Sequence, residues 1–195
     1  MGRSQAFRRT IATLALAACP AASAMPAAAA EIDSAYTDID LSACAQVSQD
    51  EWGGSWSCPG YGDIPVVISE GDLRFSISYG RKATSEPAAS QTPPPFNSLG
   101  PKIEWRLRRD KGSWTPFATI VRYFVQKGDG GEAEGQVLVV TQLTPGATCH
   151  IAYVDALANA DANRLARAVA DEQAGRRPCP DQPEIVGAFS AWDAD

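Results

Sequence analysis

Apolar and polar residues alternate in two stretches of the chain with little ambiguity. Leu73, Phe75, Ile77 and Tyr79 alternate with Arg74, Ser76 and Ser78. Ile103, Trp105 and Leu107 alternate with Glu104, Arg106 and Arg108. A period of two predicts strands with one face on a core and one face toward water. Ile64 to Ser69 reads as a further strand, joined to the first by the turn residues Glu70, Gly71 and Asp72. Phe117 to Val125, Gln136 to Leu143 and the stretch from Cys149 to Val154 are apolar and β-branched enough to complete about six antiparallel strands. The period then changes. Ala162, Leu165, Ala166, Val169 and Ala170 fall on one helical face. Asn159 or Asp161 supplies a cap, and Gly175 a stop with Pro178 just beyond. A sheet followed by a single amphipathic helix predicts an α+β domain, with the C-terminal helix packed on one sheet face.

The first thirty residues differ in kind. Arg3, Arg8 and Arg9 precede a short apolar run from Ile11 to Ala18, followed by the small-residue sites Ala22-Ser23-Ala24 and Ala28-Ala29-Ala30. This is the pattern of a secretory signal peptide, which leaves residues 31–195 as one domain. Leu16-Ala17-Ala18-Cys19 offers an alternative, a lipobox that would anchor the protein at Cys19. No later stretch is apolar enough for a membrane helix. The expected location is periplasmic or secreted.

Export gives the cysteines their meaning. Cys44, Cys58, Cys149 and Cys179 remain beyond the leader, an even set that implies two disulfides in an oxidising compartment. Three connectivities are open. Local partners favour Cys44 with Cys58 and Cys149 with Cys179. The strand-then-helix return between the latter two brings them to one level.

Charge adds a gradient. The chain carries 17 basic and 23 acidic residues. Without the three leader arginines, 14 basic residues face 23 acidic ones, a net charge of −9. Between Arg74 and Lys127, however, ten basic residues face only Glu86, Glu104 and Asp110. Arg74, Arg106 and Arg108 lie on polar strand faces. Arg81, Lys82, Arg109 and Lys111 adjoin them and extend a candidate surface for an anionic envelope component or an acidic protein. Internal pairing with the acidic flanks is the competing reading. Nucleic acid is not an expected partner of an acidic exported chain.

The second candidate surface is the glycine- and aromatic-rich stretch holding Trp52, Trp56 and Tyr61. Flat rings there suit stacking on a sugar, or packing around a Cys44–Cys58 bridge. Residues 86–101 contain five prolines and read as an extended surface connection, with Phe96 placed to pin its end.

Catalytic chemistry has little to build on. His150 is the only histidine, so a hydrolase of the Ser–His or Cys–His type would have to use it. No Gly-x-Ser-x-Gly elbow, phosphate-binding loop, CxxC pair or HExxH motif occurs. Asp129 to Glu134 is acidic but lacks the spacing of a calcium loop, and no metal or cofactor is expected.

The stretches Tyr36 to Leu41, Cys58-Pro59-Gly60-Tyr61, Glu70 to Arg74, Ile103 to Leu107 and Cys149 to Ala174 resemble an uncharacterised family of small exported bacterial proteins. The resemblance implies periplasmic export and two disulfides, and transfers no catalytic residue. The expectation from sequence is therefore a non-enzymatic exported protein that binds an anionic envelope component or a protein partner. A periplasmic hydrolase using His150 is the alternative.

Overall fold

The computed structural model describes residues 1–2, 30–127 and 133–192. The expected leader, with Cys19, falls outside the described residues except at its ends. So does most of the acidic loop at residues 129–134.

The α+β class, both disulfides and, among the described residues, one α-helix are as expected, but the strands divide into two sheets. Among the described residues there are ten strands: β1 (Ile32–Asp38), β2 (Ala45–Gln49), β3 (Gly53–Pro59), β4 (Pro65–Gly71), β5 (Arg74–Tyr79), β6 (Asn97–Asp110), β7 (Ser113–Gln126), β8 (Ala133–Gln142), β9 (Cys149–Asp155) and β10 (Glu184–Val186). The six-stranded sheet runs in the order β1-β6-β7-β8-β9-β10 and the four-stranded sheet in the order β2-β3-β4-β5. The expected single antiparallel sheet of about six strands is thus corrected in two respects. β2 to β5 form a sheet of their own, and β10 joins β9 in parallel.

The spine is the β6–β7 hairpin, two strands of 14 residues each. Lys111 (φ 47°) and Gly112 (φ 86°) make its turn, the left-handed pair whose twist matches the flanking strands. The four-stranded sheet covers one face of this spine. Ile68, Ile77 and Tyr79 from the small sheet pack against Ile103, Trp105, Val121 and Val139 of the large one. The Trp105 indole donates from Nε1 to Thr37 Oγ1 at 2.8 Å, so its buried N–H keeps a partner.

Helix α1 (Ala162–Gln173) covers the other face. Its buried positions, Ala162, Ala166, Val169 and Ala170, are mostly alanine. Small side chains let it lie close on Ala118, Ile120, Leu138 and Val154. Twelve residues span about 18 Å, enough to cross three strands. The central strands are therefore buried on both faces, which explains the unbroken run Val137-Leu138-Val139-Val140.

The disulfides join Cys44 to Cys58, Cα atoms 4.5 Å apart, and Cys149 to Cys179, 6.0 Å apart. The proline-rich segment is pinned by different residues from the one expected. Phe96 is 41% exposed, whereas Ala88, Pro93 and Asn97 are buried. Two short 3-10 turns, Ala83–Ser85 and Pro87–Ser90, carry the segment across the side of the sandwich. Ala88 N donates to Thr148 O at 2.9 Å, and Asn97 Oδ1 accepts from Phe75 N at 3.0 Å.

Candidate functional site

The arginines singled out from sequence do not share a surface. Arg74 sits on β5 in the small sheet and pairs with Asp72. Arg106 lies on β6 of the large sheet, on the side that α1 covers, and is 8% exposed. Its guanidinium forms a bidentate pair with Asp171. The Arg108 guanidinium stacks 4.2 Å above the Phe117 ring. The polar face of β6, read from alternation as facing water, instead meets Arg167 and Asp171 of the helix. Arg167 Nε donates to Glu104 Oε1 at 2.6 Å, and its Nη2 donates to the Tyr36 hydroxyl at 3.0 Å. The Glu104 carboxylate in turn holds the Arg167 guanidinium above its ordinary pKa.

The aromatic trio also separates. Tyr61 packs on Trp105, ring centroids 6.3 Å apart, in the core near the Cys44–Cys58 bridge. Trp56 is half-buried at the edge of the same core. Trp52 stands in solvent, 77% exposed, and shares a surface groove with Trp56.

His150 is wholly buried. The β8–β9 register skips Ile151, so Ile151 and Ala152 both face the helix and His150 turns into the sandwich. There its Nδ1 lies 3.0 Å from the Tyr153 hydroxyl, while Nε2 has no partner. Burial pushes its pKa down to about 3, so the ring is neutral at ordinary pH.

A roomy concavity lies at the end of the sandwich where β5 finishes and β7 begins. It has a volume of about 720 Å³, within the range of small-molecule sites. Ile64, Tyr79, Pro116, Leu143 and Pro145 give it an apolar lining, contributed by both sheets. Gly80 (φ 95°) turns the chain out of β5, and its amide donates to Pro65 O at 2.8 Å. That turn delivers Arg81 and Lys82 to the wall. Both are exposed, and neither forms an ion pair among the described residues.

The opposite wall is held by a buried carboxylate. Glu86 is 7% exposed, and its oxygens accept from Gly146 N at 2.7 Å and Thr148 N at 3.0 Å. Its two oxygens are thus taken up by the turn between β8 and β9. The Tyr79 ring forms part of the lining, and burial raises its hydroxyl well above the usual phenol pKa. Arg81 and Lys82 were visible in the sequence only as neighbours of a basic strand. The apolar lining comes from segments some 80 residues apart along the chain (Ile64 to Pro145), and no local pattern marks it.

At this point comparison with known proteins adds no neighbour: no family, no curated protein and no solved structure matches the chain.

Proposed function

We propose that this domain is an exported, non-enzymatic binding protein whose ligand is an amphiphile with an anionic head group. The observation carrying this reading is the apolar cavity at the end of the sandwich with Arg81 and Lys82 in its wall. An alkyl or ring body fills the space beside Tyr79 and Leu143, where burial of apolar area drives association. A carboxylate, phosphate or sulfate meets the two cations, which fix its orientation and exclude cationic analogues. Two disulfides suit the oxidising compartment that export would provide. No helix among the described residues is long and apolar enough to cross a membrane.

The test is calorimetry on the full chain with ligands of equal chain length: dodecanoate, dodecyl phosphate, dodecanol and dodecyltrimethylammonium. The anionic pair is expected to bind more tightly than the other two. Arg81→Glu combined with Lys82→Glu should weaken anion binding by about tenfold or more. Leu143→Trp should weaken all four by filling the cavity. Equal affinity for the anionic and cationic amphiphiles, or no binding of either, would overturn the reading.

A further inference from the structure

The opposite end of the small sheet carries a groove of contrary charge. β5 separates the two ends by about 20 Å, so the groove is independent of the amphiphile cavity. It has a volume of about 410 Å³ and is lined by Trp52, Trp56, Asp50, Glu51, Glu70 and Asp72, among others.

Its walls are built into the backbone. Asp50 Oδ1 accepts from Trp52 N at 2.8 Å and Gly53 N at 3.1 Å, which sets the turn presenting the exposed indole. A Cβ on Gly53 would come within 2.0 Å of Glu70 O, so only glycine lets β3 close against β4 there. A Cβ on Gly54 would meet the Trp56 ring at 2.9 Å. Glycine at that position leaves room for the ring to lie against the backbone.

Four carboxylates line this groove. One of them, Asp72, is already paired with Arg74. A second groove of about 470 Å³ adjoins it and shares Trp56, Glu70 and Leu73. Phe75, Phe96 and Phe124 line that part. Leu73 and Phe96 are 61% and 41% exposed. The two together make one acidic-aromatic compartment adjoining one apolar compartment. Gln49, the last residue of the exposed edge strand β2, also lines the first groove.

We infer that this double groove docks a basic, extended peptide segment of a protein partner. A lysine or arginine of the segment sits over the Trp52 indole face with Glu51 and Asp50 close by, gaining cation–π and charge attraction. A neighbouring apolar side chain enters the phenylalanine compartment. Charge complementarity selects this occupant. The carboxylates repel acidic peptides and anionic glycans, and attract a basic chain over long range in a way a neutral glycan does not share.

The experiment follows tryptophan fluorescence and heat on the full chain. The probes are a short acetylated peptide with lysines flanking a leucine, its glutamate-for-lysine twin, and a neutral chito-oligosaccharide. The lysine peptide should bind, lose affinity as salt rises, and bind about tenfold more weakly to Trp52→Ala and to Glu51→Lys. Both substituted side chains are exposed, so thermal midpoints should stay near wild type. Unchanged dodecanoate binding by the same variants would separate a lost peptide site from a disturbed fold or a failed amphiphile site. Binding of the twin as tightly as the lysine peptide would overturn the inference, as would no binding of the lysine peptide. Tighter binding of the oligosaccharide, insensitive to Glu51→Lys, would replace it with a carbohydrate site.

Discussion

Arg106 and Asp171 meet across the interface of β6 and α1 in a two-pronged pair, Nε to Oδ1 at 2.8 Å and Nη2 to Oδ2 at 2.6 Å. Arg106 also donates to Ser34 Oγ and lies 3.8 Å from Glu104. The helix is thus held by an alanine stripe and by a charge clamp reaching β6 and, through Ser34 and Tyr36, β1. Arg106→Ala would leave Asp171 without a cation and Glu104 with Arg167 alone. It should destabilise the domain by about 1–3 kcal/mol in urea unfolding, because the half-buried Asp171 loses its charged hydrogen-bond partner. Removing Arg109 from its exposed pair with Glu31 should cost about 0–1 kcal/mol. Equal costs for the two would show that the clamp behaves like a surface pair.

His150 sets a pH dependence of stability. Its pKa in the folded chain is about 3, against an unfolded value of roughly 6.5. Below pH 6.5 the unfolded chain therefore binds a proton that the folded chain refuses. Stability contributed by the neutral ring is fully present above that pH and is lost as pH falls toward 3. The loss approaches about 1.4 kcal/mol per pH unit inside the window. Phe in place of His150 removes the titrating group. Subtracting the stability profiles of wild type and His150→Phe between pH 7 and 4 should leave this slope, and a flat difference would contradict the burial.

Leu73 adopts φ 59° beside Asp72 at φ 52°, a turn whose geometry suits asparagine and glycine and not a branched apolar residue. Its side chain is nevertheless 61% exposed over both peptide grooves. Leu73→Asn should raise stability by a few tenths to about 1 kcal/mol while lowering affinity for the lysine peptide. Thermal unfolding and the peptide titration on one preparation read both effects. A loss of stability would mean that the leucine contributes more by packing than its backbone strain costs.

The Cys149–Cys179 bridge closes a loop of 30 residues around α1. Replacing both cysteines by alanine should lower stability by about 3–4 kcal/mol, on the loop-entropy account. The same change at Cys44 and Cys58, separated by 14 residues, should cost about 3 kcal/mol. Chemical denaturation under non-reducing conditions gives both numbers, and the larger effect is expected for the longer loop.

The β4–β5 hairpin was legible because its signals are local: alternation from Leu73 to Tyr79 and a turn between two apolar runs. The β2–β3 hairpin was not. Ala45 to Gln49 is an exposed edge with no apolar rhythm, and Gly53 and Gly54 read as loop although both pair with β4. A glycine placed for close backbone approach is indistinguishable, in one sequence, from a glycine placed for a turn. His150 was misleading in a related way. Residues i and i+3 of a regular strand face opposite sides, and only the bulge at Ile151 brings His150 and Tyr153 together.

The sequence by itself determined the strands of clear period two, the helix with its stop at Gly175, and the even set of cysteines that pairs locally. These depend on spacing over a few residues, and backbone geometry converts such spacing directly into faces. Only the tertiary structure decided that the strands divide between two sheets, that α1 covers the polar face of β6, and that Arg81 and Lys82 flank an apolar cavity. Those outcomes depend on which apolar faces meet across the whole chain. Strand alternation distinguishes two faces without saying which one will find a partner. The charges of Arg167 and Asp171, more than 60 residues from Glu104 and Arg106, allowed the polar face to be the one that was buried.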